Sequence, residues 1–217
     1  MSNGTFDFNS FIKESKDILV NPKSYFSEMK TSGGMSEPLI KALIYGAVSG
    51  VISFLWSLLN IGSVTGGLFG GAIGIMVFIW AIVGAIIGLF IGGVVVLVLS
   101  AICKGNTDFE ANVRVTAALM VMMPIRSLLG FAGSANLYLG VVVGIAISIY
   151  SLWLLYNGLV EALKSKAETT KILTYILIAI FVLFSLIGIG TKKVANKFMN
   201  EFNNSDVQEM LKDLEKN

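Results

Sequence analysis

The stretch ALIYGAVSGVISFLWSLLNIGSVTGGLFGGAIGIMVFIWAIVGAIIGLFIGGVVVLVLSAIC, residues 42–103, carries no charged side chain over 62 positions. Ten of its glycines fall between Gly62 and Gly93, with Gly84, Gly88 and Gly92 at four-residue spacing. A water-soluble domain has no use for so long an uncharged run. An apolar run beyond about 18 residues reads as membrane-spanning helix. The whole chain agrees. Of its 217 residues 55% are hydrophobic and 14% charged, where a soluble domain carries about 25% charged. Mean hydropathy is +0.79. A formal charge of +2 is too small to point to nucleic acid.

Working outward, residues 39–59 form the first span. Pro38 suits the first turn of a helix. Lys41, one turn in, can reach the headgroups or pair with Glu37 four residues earlier. Gly46 and Gly50 form a GxxxG pair, beside a ridge of Ser49, Ser53 and Ser57. Small residues let helix backbones approach closely in lipid. Residues 60–71 read as a glycine-rich loop, and 62–74 also suits a re-entrant piece facing a cavity. The second span, 72–103, is roughly 45 Å of helix against a hydrocarbon core of about 30 Å. It must tilt, emerge from the bilayer or begin re-entrant. Splitting it would need a turn near Gly84, where no polar turn residue stands.

A polar loop at 104–108 leads to a third span, 111–129, with Arg114 near its start and Pro124 and Arg126 near its end. A small-residue turn at 130–134 precedes a fourth span, 137–159, with Gly140, Gly144 and Ser148 on one face. A charged loop at 161–171 leads to a fifth span, 172–190. The fold class expected is all-α: a polytopic membrane bundle of five transmembrane helices, six being the alternative, with amphipathic N- and C-terminal helices. Three segments follow: a cytoplasmic interfacial segment 1–37, a transmembrane domain 38–190 and an amphipathic tail 191–217. In the tail Val194, Phe198 and Phe202 recur every four residues, and Ser205 with Gln208 forms a capping box.

Ahead of the first span, Phe11, Ile12, Ile18 and Leu19 line one face of a short helix. Asn21-Pro22 opens a second, whose face holds Tyr25, Phe26 and Met29. Their apolar faces suit either the bilayer interface or the protein's own spans. Thr31-Ser32-Gly33-Gly34 breaks the chain before the first span. The first 37 residues hold no long apolar run, so the first span is expected to act as its own insertion signal.

With five spans and a cytoplasmic N-terminus, Lys13, Lys16, Lys23, Lys30, Lys104, Arg114, Lys164, Lys166 and Lys171 fall inside. That satisfies the positive-inside rule for both charged loops and leaves Lys192, Lys193 and Lys197 outside. Six spans would return the tail to the inside and expel both loops.

No catalytic constellation emerges. Histidine is absent, which removes the commonest general base and metal ligand. No carboxylate lies within a span, against a proton relay or an intramembrane metal site. Asp108 and Glu110 read as loop carboxylates rather than a catalytic pair. The lone cysteine, Cys103, reads as a buried small hydrophobe. No cofactor is expected. The Gly84, Gly88, Gly92 stripe suits close packing within one protomer, a homodimer seam, or the lining of a solute path. Arg126 near a span end suits snorkelling.

The order of features resembles the Yip1-domain family in its shorter prokaryotic form. The resemblance rests on Asn21-Pro22-Lys23-Ser24-Tyr25-Phe26, on Gly33-Gly34, on Glu37-Pro38-Leu39, and on Gly105-x-x-x-Phe109 leading into Arg114-Val115 and Pro124. It ends with Tyr156-Asn157-Gly158-Leu159 and covers about residues 15–190. The Asp-Leu-x-Gly-Pro signature of eukaryotic members is missing, Ser36-Glu37-Pro38 standing near its place. The resemblance implies five transmembrane helices and a cytoplasmic N-terminus. Eukaryotic relatives act in vesicle trafficking and bind prenylated small GTPases. The family supplies no catalytic residues. The functional expectation is a non-enzymatic membrane scaffold or adaptor in a prokaryotic cytoplasmic membrane, with a small-solute channel or transporter as the alternative. The expected partners are the lipid bilayer and a second copy or other membrane proteins.

Overall fold

A computed structural model describes residues 7–59 and 70–203. Nine α-helices stand among the described residues: α1 (Phe8–Val20), α2 (Pro22–Glu28), α3 (Ser36–Leu58), α4 (Gly70–Ile102), α5 (Phe109–Leu119), α6 (Met122–Leu128), α7 (Ala132–Ala135), α8 (Leu137–Asn157) and α9 (Ala167–Asn203). Among the described residues, five segments are long and apolar enough to cross a membrane: Ser36–Leu58, Phe78–Ile102, Phe109–Ala135, Leu137–Ala162 and Ala167–Ser185. The protein is a polytopic helical membrane protein.

The chain divides into two compact units, Met1–Ile178 and Ala179–Asn217, with the boundary inside α9. In the first unit α3 and α4 pack along much of their length, and α5 packs on α4. Ala85, Leu89 and Val96 face inward on α4, while Ile79, Trp80, Ile87, Ile91 and Val95 face outward. An outward apolar face of that extent belongs in lipid. In the second unit the helix runs unbroken past Gly190 to Asn203, so the fifth span and the first part of the tail are one helix. The capping box at Ser205 and Gln208, and residues 60–69 of the glycine-rich connection, lie outside the described residues. Residues 70–74 are already helical.

The third span is not one straight helix. It breaks at Met120–Val121, and Met123 donates its amide to the Met120 carbonyl at 2.9 Å. Pro124 explains the break, because its ring clashes with the carbonyl four residues earlier and it has no amide to offer. The expected turn at 130–134 is instead helical: a 3₁₀ turn, Leu129–Phe131, passes directly into α7. Asn136, in extended conformation, then caps α8 by accepting from the amides of Tyr138 and Leu139. At its far end α8 passes into a π-helical turn, Gly158–Ala162.

The two charged loops interlock through backbone bonds. The Asn106 amide donates to the Leu163 carbonyl at 2.7 Å, and the Lys166 amide to the Cys103 carbonyl at 2.9 Å. Lys104 and Lys164 close their helices with φ of 58° and 56°, the left-handed cap conformation. Cys103 is fully buried beside this junction.

Candidate functional site

The N-terminal helices form one wall of an ionic cluster in which two buried cations meet partly exposed carboxylates. In α1, Phe11 and Ile18 are buried and Leu19 is partly buried, while Ile12 is exposed. Asp7 caps the helix by accepting from the Asn9 amide at 3.0 Å. Asn21 precedes Pro22 as expected, without a side-chain cap bond. In α2, Pro22 and Phe26 are buried, and Tyr25 is partly buried. Gly158 is why Phe26 can dock: a Cβ there would lie 2.8 Å from Val115 Cγ1 and 3.5 Å from the Phe26 ring. The apolar faces of α1 and α2 therefore rest on the protein's own helices.

Lys41 on α3 points into this wall. Its Nζ lies 2.7 Å from Glu14 Oε2 on α1 and 2.7 Å from Glu37 Oε1 one turn earlier. With 9% of its side chain exposed, Lys41 does not reach out to the headgroups. The i,i+4 pairing with Glu37 is as its spacing suggests. Nζ also donates to the Tyr25 hydroxyl at 3.5 Å. Burial pushes the Tyr25 phenol above its usual value, against the opposing pull of Lys41, so the hydroxyl stays neutral and able to accept. Deeper, Ser15 donates to the Phe11 carbonyl at 2.8 Å, which leaves its oxygen to accept from the Tyr45 hydroxyl at 2.8 Å.

The other half centres on Arg114 of α5, whose side chain is 5% exposed. Its Nη1 donates to Glu37 Oε2 at 2.8 Å, Nε to Glu110 Oε1 at 3.0 Å and Nη2 to the Gly34 carbonyl at 2.8 Å. The Gly34 amide returns to Glu110 Oε1 at 2.6 Å. Gly33 and Gly34 hold φ of 133° and 91°, conformations that glycine adopts without a Cβ penalty. A Cβ on Gly33 would also stand 3.0 Å from Arg114 Nη2. The break before the first span is thus a cradle for a guanidinium. Asp108 caps α5 by accepting from the Ala111 amide at 2.9 Å, so it and Glu110 have separate structural duties.

Glu37 is the hub, with one oxygen on Lys41 and the other on Arg114. Three carboxylates meet two cations, drawn from α1, α3 and α5. A planar guanidinium can bind three acceptors at once, which an ammonium cannot do in that geometry. A cleft of about 620 Å³ opens beside Lys41, with Lys13, Asp17, Glu28 and Lys30 among its lining residues. Among the described residues no group of three or more His, Cys, Asp and Glu could hold a metal ion.

A family model for the Yip1 domain matches residues 16–189. The chain belongs to the Yip1 domain family. The match embraces every span and both halves of the cluster except Glu14. No curated protein and no solved structure matches the chain significantly.

The remaining candidate residues of this Yip1-domain protein scatter. Gly46 and Gly50 lie where α3 meets α4: added Cβ atoms would stand 2.6 Å from Ala85 Cβ and 2.8 Å from the Phe78 ring. Gly84 and Gly88 face open space, whereas a Cβ on Gly92 would meet Thr116 at 2.7 Å. A Cβ on Gly140 would lie 2.5 Å from Gly133 Cα, while one on Gly144 would meet nothing within 4 Å. Arg126 is exposed near the end of α6. Ser49 and Ser53, of the small-residue ridge on α3, hydrogen-bond with Ser127 of α6, and Trp56 Nε1 donates to the Ser127 carbonyl at 3.0 Å. Sequence reasoning missed Arg114 and Gly33-Gly34 as partners; the available signals were an arginine just inside a span, where charge is costly, and its i,i+4 spacing from Glu110.

Proposed function

We propose that this protein is a non-enzymatic membrane scaffold or adaptor of the Yip1 type, in which the ionic cluster holds an amphipathic platform, α1 and α2, against the spans at one membrane face. The observation that carries this reading is the double engagement of Glu37. Both buried cations, Lys41 and Arg114, are committed to carboxylates and backbone that join separate helices. Such a cluster fixes geometry; buried ion pairs are better attested as devices of specificity than of net stability.

The platform's polar side supports an adaptor role. Lys13, Lys16 and Lys23 are exposed there, beside the mixed-charge cleft over Lys41. The lysines of α1, α2 and the two charged loops favour a cytoplasmic N-terminus, and the resemblance to the shorter Yip1 form supports a prokaryotic cytoplasmic membrane. The partner is a second copy or another membrane protein, and the role is membrane organisation or trafficking. Crosslinking in native membranes followed by affinity purification of the full chain tests this. A specific partner or oligomer is the expected result. Recovery of monomer alone, with no partner, contradicts it.

A further inference from the structure

A second region of the first unit has no part in the cluster. Between α8 and α9 lies a groove of about 730 Å³, within the roughly 300–1,000 Å³ of ordinary ligand sites. Tyr150, Trp153, Tyr156 and Tyr175 supply its aromatic lining, and Ala146, Ile149 and Ile178 its aliphatic part. The Tyr150 hydroxyl is occupied by the Leu19 carbonyl, so its ring is what the groove receives. Lys171 lines the groove, with its Nζ 5.9 Å from the Tyr175 ring centre.

Trp153 also lines a second cavity of about 460 Å³, whose other walls are Asn21, Lys23, Ser24 and Ser27 with Val20 and Pro22. One compartment is apolar and within spanning helices. The other lies against α2, outside the spans except for Trp153, and carries polar side chains beside its apolar wall. Each carries one lysine and, among the described residues, no carboxylate. Neither lysine has an ion-pair partner among the described residues, unlike Lys41.

From this pairing we infer that the protein holds one anionic phospholipid of the surrounding bilayer, with an acyl chain in the groove between α8 and α9 and its phosphate between Lys23 and Lys171. The occupant follows from the site's own chemistry. A groove open within the spans meets acyl chains at the highest concentration available. Aromatic residues with polar tips sit at headgroup depth. Two cations without an ion-pair partner among the described residues complement a phosphodiester, and the absence of carboxylates from both linings disfavours a cationic head.

The test is native mass spectrometry of the full chain released from nanodiscs of equal phosphatidylglycerol and phosphatidylcholine. One phosphatidylglycerol is expected to remain bound in preference to phosphatidylcholine. Lys23→Gln and Lys171→Gln are each expected to reduce that preference about fivefold, the worth of one lysine near an anionic head. Ala146→Trp should fill the groove and abolish retention while the lysines stay. Unchanged thermal melting of these variants shows that the fold is intact. Retention indifferent to headgroup and to all three variants would mean annular lipid only and would overturn the inference, as would no retained lipid. Both outcomes leave the adaptor reading untouched, since neither measures partner recovery.

Discussion

Arg114 Nη1 lies 2.8 Å from Glu37 Oε2, joining α5 to α3 across 77 positions of sequence. The guanidinium is nearly buried and satisfied on three sides, so truncation strands its partners. Arg114→Ala is expected to destabilise the protein by about 1–3 kcal/mol, less than for a fully buried pair because Glu37 and Glu110 are partly exposed. Arg114→Lys should recover only part of this, because an ammonium cannot reach Glu37, Glu110 and the Gly34 carbonyl together. Thermal melting in detergent reads both. Full rescue by lysine would reduce the contact to simple charge.

Gly46 and Gly84 make opposite predictions from the same substitution. Gly46→Ala forces a methyl to within 2.6 Å of Ala85 Cβ and should cost about 1–3 kcal/mol through overpacking. Gly84→Ala meets nothing within 4 Å and should be neutral or stabilise by about 0.5 kcal/mol through helix propensity. Melting of the two variants side by side separates them. A costly Gly84→Ala would place a second surface on that face.

Asp108→Ala removes the side-chain acceptor for the Ala111 amide at the start of α5. The expected cost is about 1 kcal/mol, with Asp108→Asn close to the parent. Amide exchange of α5's first turn reports it.

Acid should loosen the start of α1. Asp7 accepts from the Ser10 hydroxyl at 2.6 Å and from the Asn9 amide, and these bonds hold its carboxyl below the usual 3.8. With the folded value depressed, the cap's contribution is present above the unfolded value and is lost as pH falls through the folded one. Exchange protection of α1 should decline between about pH 5 and pH 2. Asp7→Asn, which does not titrate, should lose that local dependence.

The membrane architecture was legible because hydropathy is a local property: five apolar runs of sufficient length mark five candidate spans. The Glu37–Lys41 pair was legible for the same reason, since i,i+4 residues meet on any helix. The Glu110–Arg114 pair has the same spacing, but the rest of the cluster was not legible: Glu37 and the glycine cradle stand in segments distant from Arg114, and nothing in one sequence says which loop folds over which helix. The small-residue ridges show the same limit. Spacing placed Gly46-x-x-x-Gly50 on one face of α3, but the surface it meets on α4 is built from Phe78, Ala81 and Ala85, while Gly84 and Gly88 point elsewhere. The break in the third span had its cause in plain view in Pro124; the helical continuation through Gly130 and Gly133 did not, because glycine weakens a helix without forbidding it.

The central claim is that the ionic cluster ties the N-terminal platform to the spans, and hydrogen exchange on the full chain in nanodiscs tests it most directly. Lys41→Met keeps the apolar stem and removes the charge that holds Glu14 of α1. A 13-residue helix is marginal alone, so its protection depends on docking. The prediction is exchange in α1 about tenfold faster in the variant, a loss of about 1.4 kcal/mol, with α4 unchanged. Equal protection of α1 in both proteins would contradict it.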